Sequence, residues 1–312
     1  MATLQQWVDG ARPRTLPAAI APVLVGTGSA YAMERANPGL GLLAAIVAIA
    51  LQIGVNYAND YSDGIRGTDD ARVGPVRLVG QGLADPANVK LAAFLCFGVA
   101  ALAGLTLVTL ANTPWLLLVG VACVIAAWKY TGGKNPYGYL GLGEVFVFIF
   151  FGLVAVLGTT YTQAKQLELT TWAGAIGVGA IACAVLVVNN LRDIPSDTEA
   201  GKRTLAVRMG DHASRVFFAS LIGVSVVAVG VIALDYPSRS SPWSRSSRRS
   251  LRSARSAAAP PAAPSSRHWP RPGSTCWRTA CCWASASGSP RRSEAPPGVA
   301  PADPGRTQTV HE

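Results

Sequence analysis

The stretch LGLLAAIVAIALQIGVNYANDYSDGIRGTDD, Leu40 to Asp70, decides the fold. Its first part, Leu40–Val55, is almost wholly apolar and approaches the roughly 20 residues a helix needs to cross a bilayer. Its end is different. Asn56, Asp60 and Asp63 lie at i, i+4 and i+7, so on a helix they share one face. Two carboxylates and an amide closing a membrane-length helix are costly unless something binds them. A helix C-terminus also disfavours negative charge. The natural partner is a hard cation, and Mg²⁺ typically takes one or two carboxylates plus substrate phosphates.

Outward from this stretch the apolar pattern repeats. Spans are expected at about 16–33, 40–59, 91–110, 114–128, 142–161, 172–190 and 216–234. The fold class is therefore all-α, a polytopic transmembrane helix bundle with seven legible spans. Pro17 and Pro22 should kink the first span. Cys96, Cys123 and Cys183 fall in apolar runs as small packing residues, and Cys276, Cys281 and Cys282 lack zinc-site spacing. Met1 to Arg14 lacks the basic start and short apolar core of a cleavable signal peptide.

The net charge of +10 does not describe the bundle. Residues 1–235 hold 15 Lys/Arg against 14 Asp/Glu, and residues 236–312 hold 12 Arg against 3 acids. A nucleic-acid footprint does not follow. Within the bundle the cations are one-sided. The N-terminus and the loops after the second, fourth and sixth spans carry 13 Lys/Arg, and the opposite loops carry only Arg35 and Lys165. By the positive-inside rule, the N-terminus and the acidic loops face the cytoplasm of a multi-pass cell-membrane protein.

One of those loops repeats the first motif. In Asn189 to Leu205, Asn190, Asp193 and Asp197 recur at i, i+3 and i+7, with Pro195 distorting the helix end. Two amide-plus-carboxylate faces on one membrane side, with Lys and Arg nearby, suit a diphosphate held through Mg²⁺. The apolar spans offer a chamber for a lipid tail. The chemistry expected is ionisation of an allylic diphosphate, with the carbocation shielded from water.

Asn59-Asp60-x-x-Asp63 and Asn190-x-x-Asp193-x-x-x-Asp197 resemble the two aspartate motifs of the UbiA superfamily of membrane prenyltransferases. Ala11 to Leu16, Asn59 to Gly82 with Arg72-Val73-Gly74-Pro75, Tyr137 to Glu144 and Asn189 to Arg208 resemble the family's naphthoate-prenylating subgroup. The resemblance covers about residues 5–235. Two positions depart from the broader family. Gly67 stands where a third aspartate is frequent, with Asp69 following, and Asn190 opens the second motif in place of an aspartate.

The resemblance implies transfer of a polyprenyl group from polyprenyl diphosphate to 1,4-dihydroxy-2-naphthoate, with diphosphate and CO₂ released and a demethylmenaquinone formed. It implies Mg²⁺ on Asp60, Asp63, Asp193 and Asp197, with Asp69 in the missing third place and Asn56, Asn59 and Asn190 assisting. Arg72, Lys134 and Lys202 are the expected diphosphate contacts. Tyr130 would steady the carbocation or the aromatic acceptor, though an interfacial anchor fits it equally. Arg12 and Arg14 fit the acceptor's carboxylate or topology, and Arg66, Arg77, Arg203 and Arg208 fit topology better. Glu144 reads as an acid at a helix N-terminus. Alternatives are another acceptor (4-hydroxybenzoate, homogentisate or haem), a cation-binding transporter, or an inactive truncated copy.

Two regions follow: a transmembrane prenyltransferase domain, 1–235, and an Arg/Ser/Pro/Ala-rich tail, 236–312, that reads as disordered. The resemblance implies nine helices, two more than are legible, and those two would occupy the tail's place. The tail's arginines break the charge rule that the bundle obeys. Its vocabulary is that of GC-rich codons read out of frame, so a frameshift near codon 236 is the expectation, with a natural extramembrane tail as the alternative.

Overall fold

A computed structural model describes residues 2–67 and 76–240. Asp69, Arg72 and the tail beyond Ser240 lie outside the described residues. Short helix α1 (Leu4–Gly10) leads through a 3₁₀ turn (Pro13–Thr15) into α2 (Leu16–Ala32). Helices α3 (Pro38–Gly64), α4 (Pro86–Leu110) and α5 (Leu116–Lys129) follow. After a second 3₁₀ turn (Tyr137–Leu140), α6 (Gly143–Val147) runs through a π-helical stretch (Phe148–Leu157) into α7 (Gly158–Ala164). Helix α8 (Leu169–Arg192), short α9 (Ile194–Glu199) and α10 (Leu205–Ser240), interrupted by a non-helical Gly210, complete the described chain.

Among the described residues, six helical segments are long and apolar enough to cross a membrane: Leu4–Ala32, Pro38–Gly64, Pro86–Leu110, Gly143–Ala164, Leu169–Arg192 and Leu205–Asp235. The fourth expected span differs. Pro114 and Trp115 stay in a turn and α5 ends at Lys129, leaving 14 residues. At about 1.5 Å per residue such a helix reaches about 21 Å, short of the ~30 Å hydrocarbon core.

Local chemistry sets the helix ends. The Asn37 side chain accepts the Leu40 N–H and the Asp85 side chain accepts the Ala87 N–H, each with proline in the first turn. Proline is tolerated there because its missing N–H would have been unpaired anyway. Asp193 both closes α8 and opens α9, so Pro195 in the first turn of α9 marks a break and not a continuation. Helix α2, by contrast, remains one helix through Pro22.

Helices approach closely where side chains are small. A Cβ on Gly152 would lie 2.7 Å from both the Ala175 carbonyl and Gly179 Cα, so α8 and the π-helical stretch meet backbone to backbone. The buried cluster of Tyr57, Ala58, Leu78, Val89, Ala93 and Phe97 joins α3 to α4 and to the chain at Leu78. Apolar residues such as Leu24, Leu102, Leu118 and Val229 are exposed, as expected of helices whose surrounding solvent is lipid.

Candidate active site

The polar end of α3 is buried: Asn56, Asn59, Asp60 and Asp63 are all withdrawn from solvent. They have different partners. Asn56 Nδ2 donates to the Ala11 carbonyl at 2.8 Å and to Thr15 Oγ1 at 3.0 Å, fastening the N-terminal lead-in to α3. Between those anchors Arg12 sits at a left-handed φ of 55°. Its carbonyl accepts both the N–H and the hydroxyl of Thr15 at 2.9 Å. Asn59 Oδ1 accepts the Thr131 hydroxyl at 2.8 Å. Asp60 turns toward the returning chain, where its two oxygens accept the backbone N–H groups of Leu78, at 2.7 Å, and Val79, at 3.0 Å.

Asp63 faces the second motif. Its Oδ1 accepts the Tyr139 hydroxyl at 2.7 Å, and its Oδ2 lies 3.9 Å from Lys202 Nζ. The same ammonium lies 4.0 Å from Asp197 Oδ1, and the Lys202 N–H donates to the Asp197 carbonyl at 2.7 Å. The Lys202 side chain is only 11% exposed, so two motifs far apart in sequence meet at one nearly buried cation. The Tyr139 ring carries Lys202 at 4.8 Å and Arg66 at 5.3 Å, both within cation–π range. Arg66 also donates to the carbonyls of Thr131 and Gly133, which ties the loop after α5 to α3.

The remaining members of the second motif are held from both sides. Arg192 grips buried Asp193 through two hydrogen bonds, 2.7 and 2.9 Å. Asn190 Nδ2 donates to Glu144 Oε1 at 2.9 Å. Near them an aromatic column leaves the loop along α6: Tyr130 to Tyr137 at 5.5 Å, Tyr137 to Phe146 at 3.9 Å, Phe146 to Phe150 at 6.1 Å. The Tyr137 hydroxyl donates to the Ala126 carbonyl at 2.9 Å. Burial first, then neighbouring Tyr130, pushes its ionisation above the ordinary phenol range, so it stays a donor. Gly138 donates its N–H to the Tyr130 carbonyl, and a Cβ there would sit 2.7 Å from that oxygen.

Among the described residues no three His, Cys, Asp or Glu side chains gather into a closed metal cage. Two carboxylates converging on one cation from opposite motifs still fit Mg²⁺, which completes its shell with water and substrate phosphate.

The UbiA prenyltransferase family pattern matches residues 19–243. The 1,4-dihydroxy-2-naphthoate octaprenyltransferase of Mycobacterium tuberculosis is 56% identical over 78% of this chain and 81% of its own length. This chain belongs to the UbiA prenyltransferase family. The Escherichia coli protein of the same description is 42% identical over 74% of this chain and 77% of its own. A solved UbiA homolog from Archaeoglobus fulgidus, bound to GPP and Mg²⁺, shares the fold at a TM-score of 0.58. It covers 73% of this chain and 78% of that one at 12% identity. The chain is thus a multi-pass membrane prenyltransferase.

Within this UbiA bundle the expected site residues divide. Asp63, Asp197 and Lys202 come together directly, whereas Asn190 at the end of α8 pairs with Glu144, and Asp193, which caps α8, with Arg192. Asn56 and Asp60 reach other partners, Lys134 is exposed on the loop after α5, and Asp69 and Arg72 lie outside the described residues. Sequence reasoning missed Tyr139 and Thr131, and it explained Arg66 and Glu144 by topology and helix ends. The glycine-rich run around Tyr139 was the available signal. A loop that turns so tightly can deliver one side chain against Asp63.

Proposed function

We propose that this chain transfers a polyprenyl group from an allylic polyprenyl diphosphate to 1,4-dihydroxy-2-naphthoate. Diphosphate and CO₂ leave, and the reduced form of a demethylmenaquinone remains. The observation that carries the reading is the convergence of Asp63 and Asp197 on Lys202. The acceptor is supported by the descriptions of the relatives at 56% and 42% identity.

In this reading Asp63, Asp193 and Asp197 hold Mg²⁺, with Asn59 and Asn190 beside them. Bound Mg²⁺ neutralises charge on the diphosphate and on the group as it leaves. Lys202 turns from the carboxylates to the diphosphate, and Arg66 adds a second positive charge over the Tyr139 ring. The two oxygens of Asp60 stay on the backbone at Leu78 and Val79, so Asp60 anchors the returning chain to the end of α3. Tyr130 and the aromatic column shield the allylic cation from water and favour it through their π faces.

The transferase domain is residues 1–235, with the N-terminus and the acidic loops at the cytoplasmic face. The acids stand at the ends of α3 and α8 beside loop cations, which suits a lipid-linked diphosphate better than a transport path through the midplane. The test is an acceptor panel. Membranes containing the chain, given a polyprenyl diphosphate and Mg²⁺, should prenylate 1,4-dihydroxy-2-naphthoate in preference to 4-hydroxybenzoate or homogentisate. Preference for either of the others would move the chain to a different branch of the family.

A further inference from the structure

Asn59 is 9% exposed, and the two ends of its amide are unequal. Oδ1 accepts the Thr131 hydroxyl at 2.8 Å. Nδ2 has no hydrogen-bond partner among the described residues, yet it is not one of the sealed polar atoms that lack one, so it keeps contact with solvent. An amide donor held without a partner in so buried a residue is costly unless a ligand uses it. That access separates it from the unpaired oxygens of Gln52 and Thr113, which are sealed elsewhere in the bundle.

The sense of the amide follows from the hydroxyl. Thr131 is 2% exposed, and Asn59 is the partner of its hydroxyl among the described residues. In the reversed sense Nδ2 would donate to Thr131 Oγ1, and the hydroxyl proton would be buried unpaired. Reversal would also turn a carbonyl oxygen toward the face of α3 that carries Asp63, one turn further on, and set like partial charges together. Thr131 is itself fixed from its other end, where its carbonyl accepts Arg66. Asp60, next in the chain, does not compete for the amide, because its two oxygens accept the backbone at Leu78 and Val79.

We propose that Thr131 is a positioning residue: its hydroxyl turns the Asn59 N–H group toward the diphosphate of the prenyl donor. Asn59 then donates to a phosphate oxygen and does not offer its own oxygen to Mg²⁺. This deepens the prenyl-diphosphate reading above and rests on it. Two neighbours on one face of α3 take different parts of the ligand, the Asp63 carboxylate its cation and the Asn59 amide its oxygens. A neutral donor suits this place. It stabilises negative charge on the leaving diphosphate without drawing the motif's carboxylates to itself, as a further cation would.

The test is binding of inorganic diphosphate, with Mg²⁺, to the full chain in detergent, measured by calorimetry beside steady-state kinetics. Thr131→Val keeps the shape of the side chain and removes the donor. Its affinity for diphosphate should fall about fivefold or more, part of the roughly 10- to 100-fold that a hydrogen bond to a charged group is worth. The loss should appear in KM for the polyprenyl diphosphate and not in KM for the acceptor, and Thr131→Ser, which restores the hydroxyl, should recover it. Asn59→Ala should lose about tenfold or more. Adding Thr131→Val to it should change affinity by less than about twofold, because Thr131 acts only through the amide. Additive losses overturn the proposal, since Thr131 would then serve the loop and not Asn59. Asn59→Asp separates the two ends of the amide. Affinity should fall about tenfold or more when the N–H group is lost. Affinity equal to or above that of wild type overturns the proposal, because the oxygen would then be a metal ligand. If Thr131→Val does not accumulate in membranes, Asn59→Asp decides alone. A wild-type chain that binds no diphosphate removes the underlying reading, whereas equal binding by wild type and Thr131→Val removes only this inference.

Discussion

Asp63 and Asp197 reach one ammonium, Lys202 Nζ, at 3.9 and 4.0 Å. They come from the ends of different helices, α3 and α9, and each sits in an acidic motif that a lone helix would find expensive. Their convergence makes two costly helix ends into one cation site.

Lys202→Met should uncouple stability from metal. Removing one partner of a buried ion pair costs roughly 3–5 kcal/mol, because the remaining charge is left uncompensated. In EDTA the variant should unfold at clearly lower temperature than wild type, and Mg²⁺ should restore most of the difference. Its KM for the diphosphate substrate should rise tenfold or more. Thermal unfolding in detergent, with and without Mg²⁺, checks the first part, and steady-state kinetics the second.

Tyr139→Phe keeps the ring beneath Lys202 and Arg66 and deletes the hydroxyl that donates to Asp63. A hydrogen bond to a charged group contributes about 1.5–3 kcal/mol. Turnover should therefore fall by about 10- to 100-fold, while Tyr139→Ala, which also loses the cation–π face, should fall further. Equal activity of the two variants would show that the hydroxyl and the ring do not act separately.

Asp60→Asn and Asp63→Asn should fail differently. Asp60 accepts two backbone N–H groups, so its loss loosens the chain at Leu78 and Val79 and lowers the unfolding temperature along with activity. Asp63→Asn should leave the unfolding temperature in EDTA near or above the wild-type value and abolish turnover. Mg²⁺-dependent stabilisation should persist in the first variant and disappear in the second. Calorimetry of both variants across a Mg²⁺ titration checks this.

Gly152→Val should destabilise the bundle without touching the site. Even a Cβ at that position would lie 2.7 Å from the Ala175 carbonyl. Overpacking of this kind costs about 1–3 kcal/mol. The expected result is a lower unfolding temperature with an unchanged KM for either substrate in the folded fraction.

Much of this was legible from residue spacing. The expected span stopped at Asn59, whereas α3 runs on to Gly64, and only this extension puts Asn56, Asp60 and Asp63 on one helix as their i, i+4, i+7 spacing allows. The spacing did not show that Asp60 and Asp63 would turn to different partners, because that depends on where the chain at Leu78 returns. Periodicity placed α5 within two residues of its observed bounds, Pro114 and Trp115 lying in the turn before it. Tyr139 and Glu144 lie on short elements between spans, where helical periodicity carries no information. Their roles come from tertiary contact: a hydroxyl brought to Asp63 and a carboxylate brought to Asn190.

The most direct measurement is product formation by membranes containing this 312-residue chain, supplied with a polyprenyl diphosphate and 1,4-dihydroxy-2-naphthoate. It should be run with Mg²⁺ and with EDTA, beside Asp63→Asn and Asp197→Asn. The account predicts a prenylated naphthoquinol with Mg²⁺ only, and none from either variant. Prenylation that survives EDTA, or that continues in both variants, would contradict a cation site shared by the two motifs.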